Sequence, residues 1–216
     1  MINNFMILGD SYSTHKDLIP EDYAYYYCTE GRGEECPETK MLPEETWWGR
    51  FIKNMGAELI LNNSYSGSTV GYTGYRGDCS TTTSFIYRYL TLRDAGFFAN
   101  NKIDTLFVFG GTNDSWANAP LGCEMYSDWK KEDLYNVKPA ICYLMSKMKE
   151  DLPNTRIVFI ANCEIKEEII ECTKNAAERI GVECVVLADV DKRNGHPTLL
   201  GMSQIYEQVV KKLSEK

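Results

Sequence analysis

The sequence predicts an α/β fold: a three-layer α/β/α sandwich around a five-stranded parallel sheet. Three observations carry that expectation. Five short apolar runs rich in β-branched and aromatic residues recur along the chain, and segments with apolar residues at i, i+3, i+4 and i+7 separate them. Strands alternating with helices imply βαβ units and a parallel sheet. The runs are also continuously apolar, as in Leu106-Phe107-Val108-Phe109, which suits a parallel strand covered on both faces.

The elements follow in order. Residues 5–8 form the first apolar run, ending at Gly9. Residues 12–43 are too long for a compact βα turn and carry acidic residues with a Tyr23, Tyr25, Tyr26, Tyr27 cluster, so they are a candidate lid or substrate wall. The tyrosines there either stack on a ligand or pack the loop against the body. Pro43-Glu44-Glu45 is a helix start for residues 44–55. Strands are expected over 58–61, 105–109, 156–161 and 184–187, and helices over 84–95, 133–150, 165–180 and 199–213. The whole, 1–216, reads as one domain, similar in architecture to flavodoxin.

Composition narrows the partners. A net charge of −8 argues against nucleic acid or an anionic membrane surface and favours a small neutral or sugar-like ligand. No apolar stretch approaches the roughly 20 residues of a membrane span. Met1 leads directly into Phe5-Met6-Ile7-Leu8 with no leader signature, so the expected location is cytoplasmic as written, or secreted or periplasmic if a signal peptide has been replaced by the initiating methionine. The eight cysteines show no C-x-x-C or His/Cys metal spacing and read as reduced thiols; Cys28 and Cys36, sharing one loop, are the pair to watch for a bridge. No cofactor or metal is expected.

Four polar segments fall just after expected strands: Gly9-Asp10-Ser11-Tyr12-Ser13, Asn63-Ser64-Tyr65-Ser66-Gly67, Gly110-Gly111-Thr112-Asn113-Asp114 and Gly195-His196-Pro197. Ligands of open α/β sheets bind beyond the carboxyl ends of the strands. Gly, Ser, Asn and Asp are also ordinary turn residues, so the weight lies in the set. Acyl transfer through a covalent intermediate needs a hydroxyl nucleophile, a base, and donors aimed at the developing oxyanion. The chain has two histidines; His15 lies in the polar loop, whereas His196 opens the last expected helix and reaches Ser11 only through the fold.

Taken together, these blocks resemble the SGNH, or GDSL-type, hydrolases, in order and over essentially the whole chain. The resemblance implies Ser11 as nucleophile near a helix N-terminus, His196 as base, and an oxyanion hole of the Ser11 and Gly67 backbone N–H groups and the Asn113 side-chain amide. Asp10 is expected to bond backbone N–H groups of its own turn. The chain departs from the family at the triad acid: three residues before His196 stands Arg193. Asp191 then orients the imidazole if the turn 192–195 is wider than usual; Asp189 and a main-chain carbonyl are the alternatives. The implied function is hydrolysis of a short-chain carboxylic ester, an O-acetyl group on a carbohydrate first, with Trp47, Trp48 and Trp116 offering aromatic faces, although Trp47 and Trp48 lie on an expected helix, where at least one is more often core. A lipid-directed esterase, thioesterase or acyltransferase on the same site is one alternative. A non-catalytic carbohydrate-binding protein on an inactivated scaffold is the other.

Overall fold

The computed structural model describes residues 2–215. Five parallel strands form the sheet: β1 (Asn4–Gly9), β2 (Glu58–Ser64), β3 (Thr105–Gly110), β4 (Arg156–Ala161) and β5 (Glu183–Val186). Their spatial order is β2-β1-β3-β4-β5, so the order reverses between β1 and β3, where a doubly wound sheet opens its crevice. β1 is paired on both sides, Leu8 with Asn63 of β2 and with Val108 of β3, which brings the ends of all three strands to one level.

Helices α1 (Gly49–Met55), α2 (Phe85–Asp94), α3 (Val137–Asp151), α4 (Glu167–Ile180) and α5 (Leu199–Ser214) cover the two faces. Strand residues alternate between two cores with the period of two that a pleated strand imposes. Met6, Leu8, Leu106, Val108, Ile157 and Phe159 pack with α2, α3 and α4. Phe5, Ile7, Phe107, Phe109, Val158 and Ile160 pack with α1 and α5.

Two helices are shorter than the sequence pattern suggests, for local reasons. In place of a helix over 44–55, a single tight turn, Pro43–Glu45, precedes α1. Gly49 packs so close to the Pro43 carbonyl that a Cβ there would clash, and Thr46 accepts the Gly49 N–H at 3.0 Å. Residues 133–150 divide into a short 3-10 helix, Lys131–Tyr135, and α3, because Asn136 is extended.

The 12–43 segment is tied to the body. Trp47 donates to the Ser13 hydroxyl at 3.2 Å, while Trp48 and Asn62 donate to the Ser13 carbonyl at 2.9 and 2.8 Å. Both tryptophans are fully buried, so the core reading of their helix holds for both and neither offers an aromatic face to a ligand. His15 is also buried, with Nε2 on the Met41 carbonyl at 2.9 Å. Cys28 and Cys36 are free thiols rather than a bridge.

Candidate active site

β1 ends at Gly9, and the chain turns at once into a three-residue 3-10 helix, Ser11–Ser13. Asp10 caps that turn, its Oδ1 accepting the Tyr12 N–H at 3.0 Å. Burial pushes the Asp10 carboxyl up to about 7, against the pull of the Tyr12 bond and the nearby Thr112 hydroxyl and Arg88. So short a turn supplies little macrodipole, and the expected stabilisation of Ser11 by a helix N-terminus is not available from it. Gly9 is obligatory for packing: a Cβ would lie 2.6 Å from the Ser64 hydroxyl and 2.8 Å from Ser13 Cβ.

His196 does not open the last helix. It lies on a two-stranded hairpin, Lys192–Arg193 against His196–Pro197, closed by Asn194 and Gly195 with φ of 51° and 77°. Two successive positive φ angles with the sequence Asn-Gly make the tight primed turn that suits strand twist. Tyr12 and Tyr27 hold the hairpin down, donating to the carbonyls of Gly195 (2.5 Å) and Pro197 (2.9 Å). The hairpin aims His196 Nε2 at Ser11 Oγ, 3.0 Å away. Nδ1 faces the Asn194 carbonyl at 3.1 Å. A carbonyl only accepts, so Nδ1 carries the proton and Nε2 has a lone pair for the serine hydroxyl. Burial holds the imidazole below its usual pKa, against the Asn194 bond and the Glu38 charge, which favour the cation.

The acid is where the structure corrects the sequence reading. The turn is tight rather than wide, and Asp191 lies at the hairpin base, where its carboxylate takes the Thr198 hydroxyl and its carbonyl the Thr198 N–H. It thereby supports the N-cap of α5, not the imidazole. The contact on Nδ1 is the main-chain carbonyl of Asn194.

The three groups expected as oxyanion donors follow strands that end at one level. Gly67 has φ of +83°, with nothing within 4 Å of a hypothetical Cβ, so glycine serves the backbone conformation rather than a tight contact. The turn holding it is tied by Tyr65 N–H to the Gly9 carbonyl (3.0 Å) and Ser66 N–H to the Ala24 carbonyl (2.8 Å). Neither the Ser11 nor the Gly67 N–H donates to another group among the described residues. Asn113, buried on a short helix Thr112–Trp116, donates one amide proton to the Ser68 carbonyl at 3.0 Å and accepts the Tyr75 hydroxyl at 3.0 Å; the amide's second proton remains. Asp114 secures the turn from below, accepting the Val70 N–H (2.9 Å) and Gly71 N–H (3.2 Å), and burial raises its pKa to about 6 despite those bonds.

Several participants were not singled out from the sequence. Arg88 on α2 is buried and stitches the strand ends together, with Nη2 on the Gly9 carbonyl and Ser68 hydroxyl at 3.0 Å and Nε on the Thr83 carbonyl at 2.9 Å. Its signal is a charge at position 88 on the face that Phe85 and Tyr89 define at i, i+3 and i+4. Tyr26 stacks flat on His196, with ring centroids 3.5 Å apart and an interplanar angle of 9°. Trp116, half exposed, meets the imidazole edge-on at 5.6 Å. A cavity of about 570 Å³ opens beside Gly67 and Tyr75, rimmed by Ser66, Arg76, Asp78 and Thr83. Ser11 is not part of that cavity's wall.

A doubly wound sheet carrying a serine-histidine pair and backbone donors at its switch point defines the SGNH type of hydrolase. Residues 3–213 match the GDSL-like lipase/acylhydrolase family profile, and the chain belongs to that family; it is an ester-hydrolysing serine hydrolase. Among solved structures it is similar to a candidate GDSL-like lipase from Bacteroides ovatus, 36% identical over 100% of both chains with a TM-score of 0.89. It is likewise similar to one from Bacteroides uniformis, 41% identical over 100% of this chain and 97% of that one, also at 0.89. At 17% identity, an acetyl xylan esterase from Butyrivibrio proteoclasticus shares the fold, with a TM-score of 0.60 over 98% of this chain and 63% of that one. A search of curated proteins returns no match.

Proposed function

We propose that the protein hydrolyses short-chain carboxylic esters through an acyl-Ser11 intermediate, with an O-acetyl group on a carbohydrate as the first substrate class. The observation that carries this is the Ser11 Oγ to His196 Nε2 contact of 3.0 Å, with the opposite ring nitrogen on the Asn194 carbonyl. Neutral His196 takes the Ser11 proton as Oγ attacks the carbonyl carbon. The Ser11 and Gly67 N–H groups and the free Asn113 amide proton receive the oxyanion. Collapse expels the alcohol, which takes the proton from His196, and water repeats the sequence to release the acid.

A carbohydrate acceptor is supported by the hydroxyl and charged side chains of Ser66, Arg76, Asp78 and Thr83 around the cavity beside Gly67, which offer hydrogen-bond partners, and by Trp116 at its exposed position near His196. The same architecture serves the acetyl xylan esterase, a fold-level analogy. Release of acetate from acetylated xylo-oligosaccharides and from a nitrophenyl ester series of rising chain length tests the reading. Activity should be greatest with acetyl esters and absent in Ser11→Ala. Rising rates with longer acyl chains would instead support a lipid-directed esterase, and activity that survives Ser11→Ala would remove the mechanism.

A further inference from the structure

The family position for the acid, three residues before His196, holds Arg193, yet a carboxylate does bond two residues that touch the imidazole, and it comes from the other end of the chain. Glu38 lies on the turn Pro37–Thr39 in the 12–43 segment, with its side chain fully buried. Its Oε1 accepts the Tyr26 hydroxyl at 2.7 Å and the Asn194 side-chain amide at 3.2 Å. Its Oε2, without a hydrogen bond of its own, faces Arg193 Nε at 4.0 Å. These partners bracket the base: the Tyr26 ring lies flat on the imidazole, and Asn194 is the residue whose carbonyl takes the Nδ1 proton.

We propose that Glu38 is a positioning residue for His196, replacing the family's acid at one remove by fixing Tyr26 over the ring and Asn194 behind Nδ1. The proposal rests on the Ser11–His196 reading above. A buried carboxylate is costly unless hydrogen-bonded, so the 12–43 segment would not carry one here without compensation. Burial alone would push the Glu38 carboxyl up, but the Tyr26 and Asn194 bonds, its own N–H and Arg193 bring it below the ordinary value, leaving it ionised. Besides Glu38, the charges felt by the imidazole are Arg32 and Lys192, which disfavour its cation. Around the remaining faces are Tyr12, with its ring centroid 5.4 Å from that of His196, and Trp116. Glu38 is therefore the anionic group that steadies the imidazolium formed during acyl transfer, and Arg193 is its counterion rather than a gap in the site.

The test compares wild type, Ser11→Ala, Glu38→Gln and Tyr26→Phe on 4-nitrophenyl acetate across pH, with thermal unfolding measured alongside. Glu38→Gln should lower kcat by about 10- to 100-fold with KM little changed, as for a mispositioned base. It should also move the acid limb of kcat/KM to lower pH, because the negative charge favouring the imidazolium is gone. Tyr26→Phe, which keeps the stacked ring and loses the bond to Glu38, should show a smaller kcat loss in the same direction. A purely structural Glu38 would move thermal stability without moving the pH profile, and that result overturns the proposal. Should Glu38→Gln not fold, Tyr26→Phe with wild-type kcat and pH profile overturns it as well. Activity that persists in Ser11→Ala overturns the underlying mechanism instead, so the two failures are separable.

Discussion

Replacing Asn113 with alanine separates what its amide does for the fold from what it does for the reaction. In the resting structure the side chain makes two hydrogen bonds, to the Ser68 carbonyl and from the Tyr75 hydroxyl, both at 3.0 Å. At about 1 kcal/mol net apiece, their loss destabilises the protein by about 2 kcal/mol. For a chain of this size that is a fall in Tm of about 4–8 °C. The second amide proton meets no acceptor among the described residues, so its contribution is assigned to the charged intermediate. Removing one oxyanion donor costs about 2.7–4 kcal/mol, or about 10²–10³ in kcat. KM should hold nearly constant, because the interaction arises only as charge develops on the carbonyl oxygen. Steady-state kinetics on 4-nitrophenyl acetate, run well below the variant's Tm, measure the loss of kcat, and calorimetry measures the fall in Tm. A variant that loses thermal stability while retaining wild-type kcat would show that Asn113 only ties the turn to Tyr75, and the oxyanion assignment would fall.

Two further outcomes follow from the same geometry. Asp191→Asn should leave kcat within about twofold of wild type, since its carboxylate serves Thr198. Weakening that N-cap should cost about 1 kcal/mol, or about 2–4 °C in Tm; a large loss of kcat at unchanged Tm would return Asp191 to the catalytic unit. For the wild type, kcat/KM should rise with pH through one ionisation below 6.5, because burial favours the neutral base and only that form accepts the Ser11 proton. A limb well above the ordinary histidine range of about 6.5 would contradict the assignment of His196.

The strands, the parallel sheet and the family were legible because they rest on local patterns: the alternation of apolar runs and helical periods, and four short blocks in a fixed order. The blocks also pointed to Ser11, Gly67, Asn113 and His196; Ser11 and His196 meet at 3.0 Å and Asn113 reaches the Ser68 carbonyl next to Gly67, with Ser11, Gly67 and Asn113 following strands that end at one level. The imidazole's partner was not legible. Sequence proximity favoured Asp191, yet the tight Asn194-Gly195 turn sends its carboxylate to Thr198 and presents a main-chain carbonyl to Nδ1. Trp47 and Trp48 read as one core side chain and one candidate ligand face; packing made both core, with both indole N–H groups on Ser13. Glu38 and Arg88 read as ordinary charges on a loop and a helix. Their partners lie 156 and 79 residues away, at Asn194 and Gly9. Periodicity reports only which face of an element is buried. What a buried charge meets is decided when distant segments pack, since desolvation forces each such group onto whatever donors or acceptors the fold places beside it.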